Sequence, residues 1–419
     1  MPYGSSTLVF DLGGEGEVLL PNCEAPSLSP SEMVRRALAH PIDSPPLREL
    51  ARGRRSAIIL IACRTRRTGS EVFVPLLADA LNEAGIPDES ITVCTATGSH
   101  DNFRPEDAPL LLGDAAGRVR FRGHDCINPE QLTDVGTTSR GTPVRLARQY
   151  LESDLKIATG RVTFHYFAGF SGGRKAVLPG VSAKETIIAN HSMAVLREGG
   201  VRLNPDTRNG NLDTNPIHLD MLEAARFAPP DFTLTTVLNT RHEITHAFGG
   251  AMEASHLAGV EVVRRLDAPG VTARPDWVIA GSGGAPYDVN AIQALKALFN
   301  NFAIVRPGGA FILVAECAEG SPQWLLEATA LATREELNQR IANRTVRQGH
   351  NALWIREARE RAHVIMVSKL ADQEVRALGF HPAHSPQEAL ALASDLSGRA
   401  DRVAIIPYGN ITHATFRES

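Results

Sequence analysis

Short apolar runs rich in β-branched residues alternate with longer helical stretches along most of this 419-residue chain. Strands separated by helices form βαβ units, in which the connected strands run parallel. The sequence therefore predicts an α/β fold with mostly parallel sheets flanked by helices. The predicted strands are Ala57–Ala62, Ile91–Thr95, Leu155–Thr159, Trp277–Ala280, Ala310–Ala315, His363–Ser368 and Val403–Pro407, and the predicted helices include Phe73–Ala84, Asp288–Phe299, Arg334–Ile341 and Pro386–Leu396.

Composition excludes several classes of protein. With 43% hydrophobic and 21% charged residues the chain can form a full core, and at roughly 100–200 residues per domain it corresponds to two or three domains. A net charge of −4 gives no basic field for a nucleic acid or an anionic membrane, so we expect a small-molecule ligand.

The cysteines are unclustered, and the segment MPYGSSTLVFDLGGEGEVLL lacks the basic start and apolar run of a signal peptide. We therefore expect reduced thiols and a cytoplasmic location.

Polar, glycine-bearing loops follow several of the predicted strands, with the sequences CRTRRTGS, TATGSHDNF, ATGRVTFH and AGSGGAPYD. In open α/β sheets, ligands bind outside the carboxyl ends of the strands, so functional residues are expected in these loops. His100 in the second loop is a candidate general acid or base. Arg64, Arg66 and Arg67 in the first loop suit a carboxylate or a phosphate. A solvated histidine and a solvated basic turn are the simpler interpretations.

The densest group of reactive side chains lies in HYFAGFSGGRKAVLPGVSAKETIIANH, which covers His165–His191. Glycines in this segment allow the backbone to approach a ligand closely and to form an anion-binding nest. The segment is not a Walker A motif, because Ala176 follows Lys175 where that motif requires Ser or Thr. A surface turn with a solvated Arg174–Lys175 pair explains the segment equally well when it is taken alone. The glycines concerned are Gly169, Gly172 and Gly173.

The segment HEITH, at His242–His246, matches the HExxH pattern of zinc peptidases. That pattern requires a helix that places both histidines on one face. The preceding TLTTVLNT is β-branched and the following FGG ends a helix, which favours a strand, a turn at Asn239–Glu243 and a return strand. Met252 also stands where the longer metzincin pattern has its third histidine. A zinc peptidase is therefore only a distant alternative.

Taken together, these loops resemble the nickel-pincer nucleotide-dependent lactate racemase family over most of the chain. The resemblance rests on TGSH at Thr97–His100, HYFAGFSGGRKAVLPG at His165–Gly180, His191 sixteen residues after Lys175, GSGGAPYDVNAIQALK, and AEC at Ala315–Cys317. The order of these motifs, their spacing and their positions in the loops all agree with the family pattern, and no single motif could provide this agreement. The resemblance implies a racemase or epimerase that inverts C2 of a 2-hydroxy acid by hydride transfer through a 2-keto acid. Lactate and sugar acids are substrates of this kind.

The resemblance also implies two domains with the active site in the cleft between them. The stretch LDAPGVTARPD at Leu266–Asp276 is typical of a linker. Residues 1–270 together with 398–419 are expected to form an N-terminal cofactor-attachment domain, and residues 271–397 a smaller C-terminal α/β domain. In this arrangement the last strand returns to the first domain.

The implied cofactor is a pyridinium mononucleotide whose two sulfur-containing arms hold nickel, and separate maturation proteins supply it. The resemblance gives each matching residue a role in binding this cofactor, its metal or the substrate. A core position is an equally good interpretation of the tryptophan among them. The matching residues are Lys175 (covalent attachment), His191 (nickel ligand), His100 and His165 (acid and base), Arg66, Gln293 and Lys296 (substrate), and Gly172, Gly173 and Trp354 (cofactor).

Departures from the family pattern bear on the substrate. The first basic loop of the family usually reads Asp-x-Thr-Arg-Pro, whereas Cys63 and Arg67 replace the acid and the proline here. Ile292 stands where the lactate enzyme has a tyrosine. A second guanidinium beside Arg66 can bind a second carboxylate, so we expect a dicarboxylic substrate such as malate. A solvent-facing Arg67 is the alternative, and the sequence assigns no role to Cys63.

Overall fold

Two six-stranded sheets form the framework of the protein, as the alternation of strands and helices predicts. The computed structural model describes residues 1–100, 103–330, 333–342 and 349–417. Within these ranges the strands are β1 (Pro2–Tyr3), β2 (Ser6–Thr7), β3 (Glu17–Val18), β4 (Ala57–Ile61), β5 (Ile91–Thr95), β6 (Arg120–Gly123), β7 (Leu132–Thr137), β8 (Pro143–Ala147), β9 (Leu155–Arg161), β10 (Phe164–His165), β11 (Gly169–Phe170), β12 (Val195–Leu196), β13 (Arg202–Leu203), β14 (Phe232–Leu238), β15 (Ile244–Gly250), β16 (Gly270–Val271), β17 (Trp277–Gly281), β18 (Gly309–Val314), β19 (Ala362–Val367), β20 (His381–Ala383), β21 (Val403–Ile406) and β22 (Thr415–Phe416).

The helices in the same ranges are α1 (Pro30–Ala39), α2 (Leu47–Ala51), α3 (Ser70–Glu83), α4 (Ala108–Leu112), α5 (Arg148–Glu152), α6 (Lys184–His191), α7 (Pro216–Arg226), α8 (Met252–Leu266), α9 (Ala291–Asn301), α10 (Gln323–Thr329), α11 (Arg334–Ala342), α12 (Gly349–Arg361), α13 (Asp372–Ala377) and α14 (Pro386–Ser397). None of them is long and apolar enough to cross a membrane.

The first sheet has the strand order β15-β14-β9-β4-β5-β6, and only β15 runs antiparallel to its neighbour. The second sheet has the order β20-β19-β18-β17-β21-β3 and is parallel throughout. Successive side chains of a strand point to opposite faces, so Ile58 and Ile59 belong to different cores. The core that contains Ile58 also contains Val278 of β17, and it therefore joins the two sheets.

The last strand of the second sheet differs from the sequence prediction. β21 pairs with β17 and with β3, and it makes no ladder with the first sheet. Its buried residues Ala404 and Ile406 pack in the core beside Val278. The expectation that this strand returns to the N-terminal domain is therefore wrong, because both its hydrogen bonds and its apolar side chains belong to the second sheet.

The other predicted strands and helices are confirmed, with ends shifted by a few residues. Helix α9 begins at Ala291 rather than at Asp288 because Asn290 caps it by accepting a hydrogen bond from the Gln293 amide. Asp288 instead accepts hydrogen bonds from two distant backbone amides, one of which belongs to Gly4.

The HEITH segment forms a hairpin, as the strand interpretation predicts. β14 and β15 pair antiparallel, with a register shift beside Leu238. His242 lies in the turn between them with φ 64°, and His246 lies in β15. The two histidines therefore do not share a helix face, which the HExxH site requires. All five cysteines lie in the described part of the chain and are free.

A buried arginine fixes the glycine-rich loop that leads to Lys175. Arg174 is fully buried, so the solvated-pair interpretation is wrong for this residue. Its guanidinium donates to the carbonyls of Ala168 at 3.0 Å and Phe170 at 2.9 Å, and to Nε2 of His256 at 2.9 Å. Burial lowers the pKa of Arg174 to about 9, so the side chain keeps its charge at neutral pH. These contacts tie the loop to α8.

Replacing Arg174 with methionine should lower the free energy of unfolding by about 3 kcal/mol or more, because buried carbonyls lose their donors. Urea unfolding followed by circular dichroism measures the change. Arg202→Met is the matched control, since Arg202 is exposed and contacts the carbonyl of Glu198. The control should change stability by no more than about 0.5 kcal/mol. Equal effects of the two substitutions would contradict a structural role for Arg174.

Candidate active site

A cavity of about 660 Å³ lies between the carboxyl ends of the first sheet and helices α9 and α12 of the second half of the chain. Its volume is within the usual range for small-molecule sites. Its position agrees with the expected cleft between the two domains. The predicted site residues that line it are Arg66, Arg67, His100, His165, Gly172, Lys175, His191, Gln293 and Lys296.

Two residues predicted to bind the cofactor lie outside the lining. Gly173 is buried with φ 52°, and a Cβ there would lie 3.0 Å from Cβ of His256, so this glycine is needed for packing against α8. The ring of Trp354 packs against Phe299 and Phe302, with centroid distances of 6.1 and 5.9 Å. Both residues therefore have packing contacts of their own, and their assignment to cofactor binding stays a prediction.

His350 lines the cavity one helical turn before Trp354. It is buried, its ring meets the edge of Phe167 at 5.0 Å, and it lies 6.4 Å from the ring of His191. Burial lowers the pKa of His350 to about 4, so the imidazole is neutral at pH 7. Sequence reasoning missed His350; the available signal was its spacing of four residues from Trp354, which places both on one helix face.

Arg66 and His100 form a pair at the ends of the neighbouring strands β4 and β5. Nη2 of Arg66 lies 3.2 Å from Nε2 of His100. A guanidinium can only donate, so this nitrogen of His100 accepts, and the proton of the neutral ring sits on Nδ1. Nη1 of Arg66 donates to Sγ of Cys63 at 3.4 Å. Cys63 therefore helps to orient Arg66, which is the role that the sequence left open.

His165 and Lys175 have strongly shifted acid–base properties. Burial lowers the pKa of His165 well below 6.5, and the charges of Lys175 and Lys296 lower it further. The pKa of Lys175 is held well below 10.5, first by burial and then by Arg174. Its Nζ lies 5.7 Å from the ring centroid of Phe167. Lys175 thus has an uncharged, nucleophilic form available at lower pH than an exposed lysine.

His191, at the end of α6, is oriented by its neighbour. Nδ1 of His191 lies 3.1 Å from Oδ1 of Asn190. The amide nitrogen of Asn190 donates to Asp220 and to the carbonyl of Ile217, so its oxygen faces His191 as an acceptor. Burial lowers the pKa of His191 well below 6.5. The neutral ring therefore carries its proton on Nδ1 and its lone pair on Nε2, which is the form that binds a metal.

Helix α9 presents Gln293 and Lys296 to the cavity. Nζ of Lys296 donates to Oε1 of Gln293 at 2.6 Å. Burial, with a smaller contribution from Arg66, lowers the pKa of Lys296 to about 7. Together with Arg66, these residues provide hydrogen-bond donors and positive charge for a carboxylate.

A second basic group lines the same cavity at the end of β9. Arg161 is 7% exposed and donates to the hydroxyl of Tyr287 and, at 3.4 Å, to the carbonyl of Leu238. The hydroxyl of Tyr287 lies 3.4 Å from Nδ1 of His242. Burial, then Arg161 and Arg67, lower the pKa of His242 to about 4. Sequence reasoning did not select Arg161 or Tyr287, although a charged residue that ends an apolar strand was a usable signal.

Other sequence candidates lie outside the site. Arg64 pairs with Asp107 and Glu319 at 3.8 Å each and does not line the cavity. His246 contacts its neighbour Thr245 at 3.2 Å. In the described part of the chain, no cluster of three or more His, Cys, Asp or Glu residues is arranged to hold a metal ion.

Two family models cover most of the chain. The lactate racemase N-terminal domain matches residues 3–203, and the lactate racemase C-terminal domain matches residues 271–412. The lactate racemase of Thermoanaerobacterium thermosaccharolyticum is 32% identical over 98% of this chain and 97% of its own length. The lactate racemase of Lactiplantibacillus plantarum is 33% identical over 91% of this chain and 90% of its own.

Solved structures agree with these matches. The lactate racemase apoprotein from Thermoanaerobacterium thermosaccharolyticum superposes with a TM-score of 0.87 at 30% identity, covering 99% of this chain and 98% of that one. A Thermotoga maritima protein at 19% identity shares the fold, with a TM-score of 0.73 over 94% of this chain and 100% of that one. From the two domain models and the relatives above 30% identity it follows that this chain belongs to the lactate racemase family, whose members are isomerases.

Proposed function

We propose that this protein inverts C2 of a 2-hydroxy acid through a 2-keto acid intermediate. The observation that carries the proposal is the presence of two imidazoles, His100 and His165, in one cavity with the cations Arg66 and Lys296. The cations suit the carboxylate of the substrate, and the imidazoles suit its hydroxyl proton. Membership of the lactate racemase family supports this reaction class.

The residues of the site fit a nickel-pincer nucleotide. Lys175 has an amine that burial favours in its uncharged form, as attachment through a thioamide requires. His191 presents the lone pair of Nε2 for a metal, because Asn190 holds its other nitrogen. When bound, the nucleotide would supply a reversible hydride acceptor for C2 of the substrate. Separate maturation proteins would provide the loaded cofactor.

Proton transfer in this reaction belongs to His100 and His165. One imidazole accepts the hydroxyl proton as C2 is oxidised to a carbonyl. Oxidation at C2 avoids a second negative charge beside the carboxylate, which direct removal of the C2 proton would create. The two enantiomers present their hydroxyls on opposite sides, so each imidazole serves one of them. The second imidazole, after taking up a proton from solvent, protonates the carbonyl oxygen when C2 is reduced from its other face, and the first imidazole releases its proton to solvent.

The carboxylate clamp, defined as Arg66 and Lys296, would hold the acid throughout. Arg66 is fixed by its hydrogen bonds to Cys63 and His100, and Lys296 is fixed by Gln293. Side chains that are already oriented lose little freedom when the substrate binds. The clamp can therefore retain the keto acid while its carbonyl turns between the two imidazoles.

For the substrate we propose a dicarboxylic 2-hydroxy acid such as malate. Arg67 lines the cavity, which supports a contact with a second carboxylate. Lactate or a sugar acid is the alternative, and the names of the relatives favour lactate.

The substitution Lys175→Ala should abolish the mass that the nucleotide adds to the intact protein, because the thioamide nitrogen is lost. Intact-protein mass spectrometry after coexpression with the maturation proteins measures this. Lys184→Ala is the matched control, since Lys184 is exposed at the start of α6 and lines the same cavity. The control should keep the added mass. The opposite pattern would assign the attachment to Lys184.

The loaded enzyme should racemise malate with a kcat/KM at least about tenfold above that for lactate, since one charge-assisted contact is worth this factor or more. Loss of optical rotation from single enantiomers, over a panel of 2-hydroxy acids, measures the rates. Arg67→Leu should reduce the rate for malate and spare lactate. Efficient lactate turnover without malate turnover would overturn the dicarboxylate proposal but not the racemase proposal.

Because the ammonium form of Lys296 binds the carboxylate and its pKa is lowered to about 7, kcat/KM should fall as pH rises above 7. The decline should approach about tenfold per pH unit, as expected when a single group titrates. In Lys296→Arg the guanidinium stays charged, so kcat/KM should hold through pH 9. A decline of equal steepness in both enzymes would show that another group titrates.

A further inference from the structure

We propose that Arg67, Arg161 and Tyr287 form a second oxyanion subsite in the cavity, distinct from the carboxylate clamp. It binds a carboxylate or phosphate oxygen on the part of the ligand remote from the reacting carbon. The oxyanion can come from two ligands. One is the distal carboxylate of a 2-hydroxy acid, and for this ligand the inference rests on the proposed function. The other source is the phosphate of a pyridinium mononucleotide.

The cavity carries an excess of positive charge. Its described lining includes four arginines and three lysines but neither aspartate nor glutamate. The two cations of the clamp receive only one carboxylate of the substrate. Arg67 and Arg161 add further positive charge to the lining, which favours further negative charge on the ligands because neighbouring cations repel one another.

Arg161 is the cation whose surroundings most need an anion. Its side chain is 7% exposed, it makes no ion pair with any residue in the described ranges, and its Nε is buried without a hydrogen-bond partner. Burial raises the pKa of Asp267, and the charge of Arg161 partly offsets this rise. The carboxylate of Asp267, however, accepts a hydrogen bond from the backbone amide of Asn22 and lies beyond ion-pair distance of the guanidinium. A buried guanidinium without a carboxylate is costly, so an anion in the cavity completes its bonding.

Arg67 and Tyr287 complete the subsite from two sides. Arg67 follows β4, the strand next to β9, and makes no hydrogen bond or ion pair with other described residues. Its neighbour Arg66 is instead directed to His100. Tyr287 comes from the loop after β17, accepts a hydrogen bond from Arg161, and can donate its own proton to a ligand or to neutral His242. The subsite thus offers two guanidinium groups and one hydroxyl to a single oxyanion.

The test uses the cofactor-free protein and four probes in isothermal titration calorimetry. Malate and lactate differ by the distal carboxylate, and nicotinic acid mononucleotide and its riboside differ by the phosphate. Arg161→Met should weaken binding of malate or of the mononucleotide by about tenfold or more and spare the matching probe without the extra anion. Arg202→Met, which removes the same charge from an exposed position outside the cavity, should bind all four probes like the unmodified protein.

The outcome distinguishes the two ligand sources. A loss confined to malate assigns the subsite to the substrate, and a loss confined to the mononucleotide assigns it to the cofactor phosphate. Unchanged binding of all four probes, or an equal loss for all four, would overturn the proposal. If Arg161→Met fails to fold, Arg67→Leu and Tyr287→Phe serve the same comparison, because both side chains are only half-buried.

Separate experiments would detect a failure of the proposed function. The optical-rotation and intact-mass experiments test the racemase and its cofactor on the enzyme with Arg161 intact. Selective oxyanion binding that depends on Arg161 would still support the subsite if no 2-hydroxy acid were racemised.

Discussion

The fully buried guanidinium of Arg174 holds the loop on which the rest of the site depends. Its bonds to the Ala168 and Phe170 carbonyls and to His256 fix the backbone that delivers Lys175 to the cavity. The same buried charge is one of the causes of the lowered pKa of Lys175. A residue with a structural role therefore also adjusts the reactivity of its neighbour, and the sequence order Arg-Lys places the two effects together.

The periodicity of apolar residues predicted the strands and helices well, because burial of these segments leaves a direct trace in the sequence. It did not predict the partners of β21. An apolar run is compatible with either sheet, and strand pairing is decided by contacts between residues far apart in the chain, such as Val403 opposite Trp277. The family resemblance pointed to the wrong sheet for the same reason, because matching motifs constrain loops more closely than they constrain strand pairing.

The candidate site was predicted where several reactive residues share a motif, as in His165–His191, and less well where single residues act. Trp354 was selected from approximate spacing, whereas His350, one turn earlier on the same helix, lines the cavity and was not selected. Arg161 carries no motif; its importance lies in a missing counter-charge, which becomes visible only when its neighbours in space are known. The sequence suggested a solvated Arg174 because its partners are backbone carbonyls, which every residue has and which no sequence pattern indicates.

The chain crosses between the two sheets more than once. After the β1-β2 pair, the chain adds β3 to the second sheet, enters the first sheet at β4, and returns through the segment that leads from α8 to β17. Two covalent crossings therefore connect the halves, in addition to the core that contains Ile58 and Val278. His100 and Lys296, which come from different halves, are thus brought to one cavity by covalent connections as well as by side-chain packing.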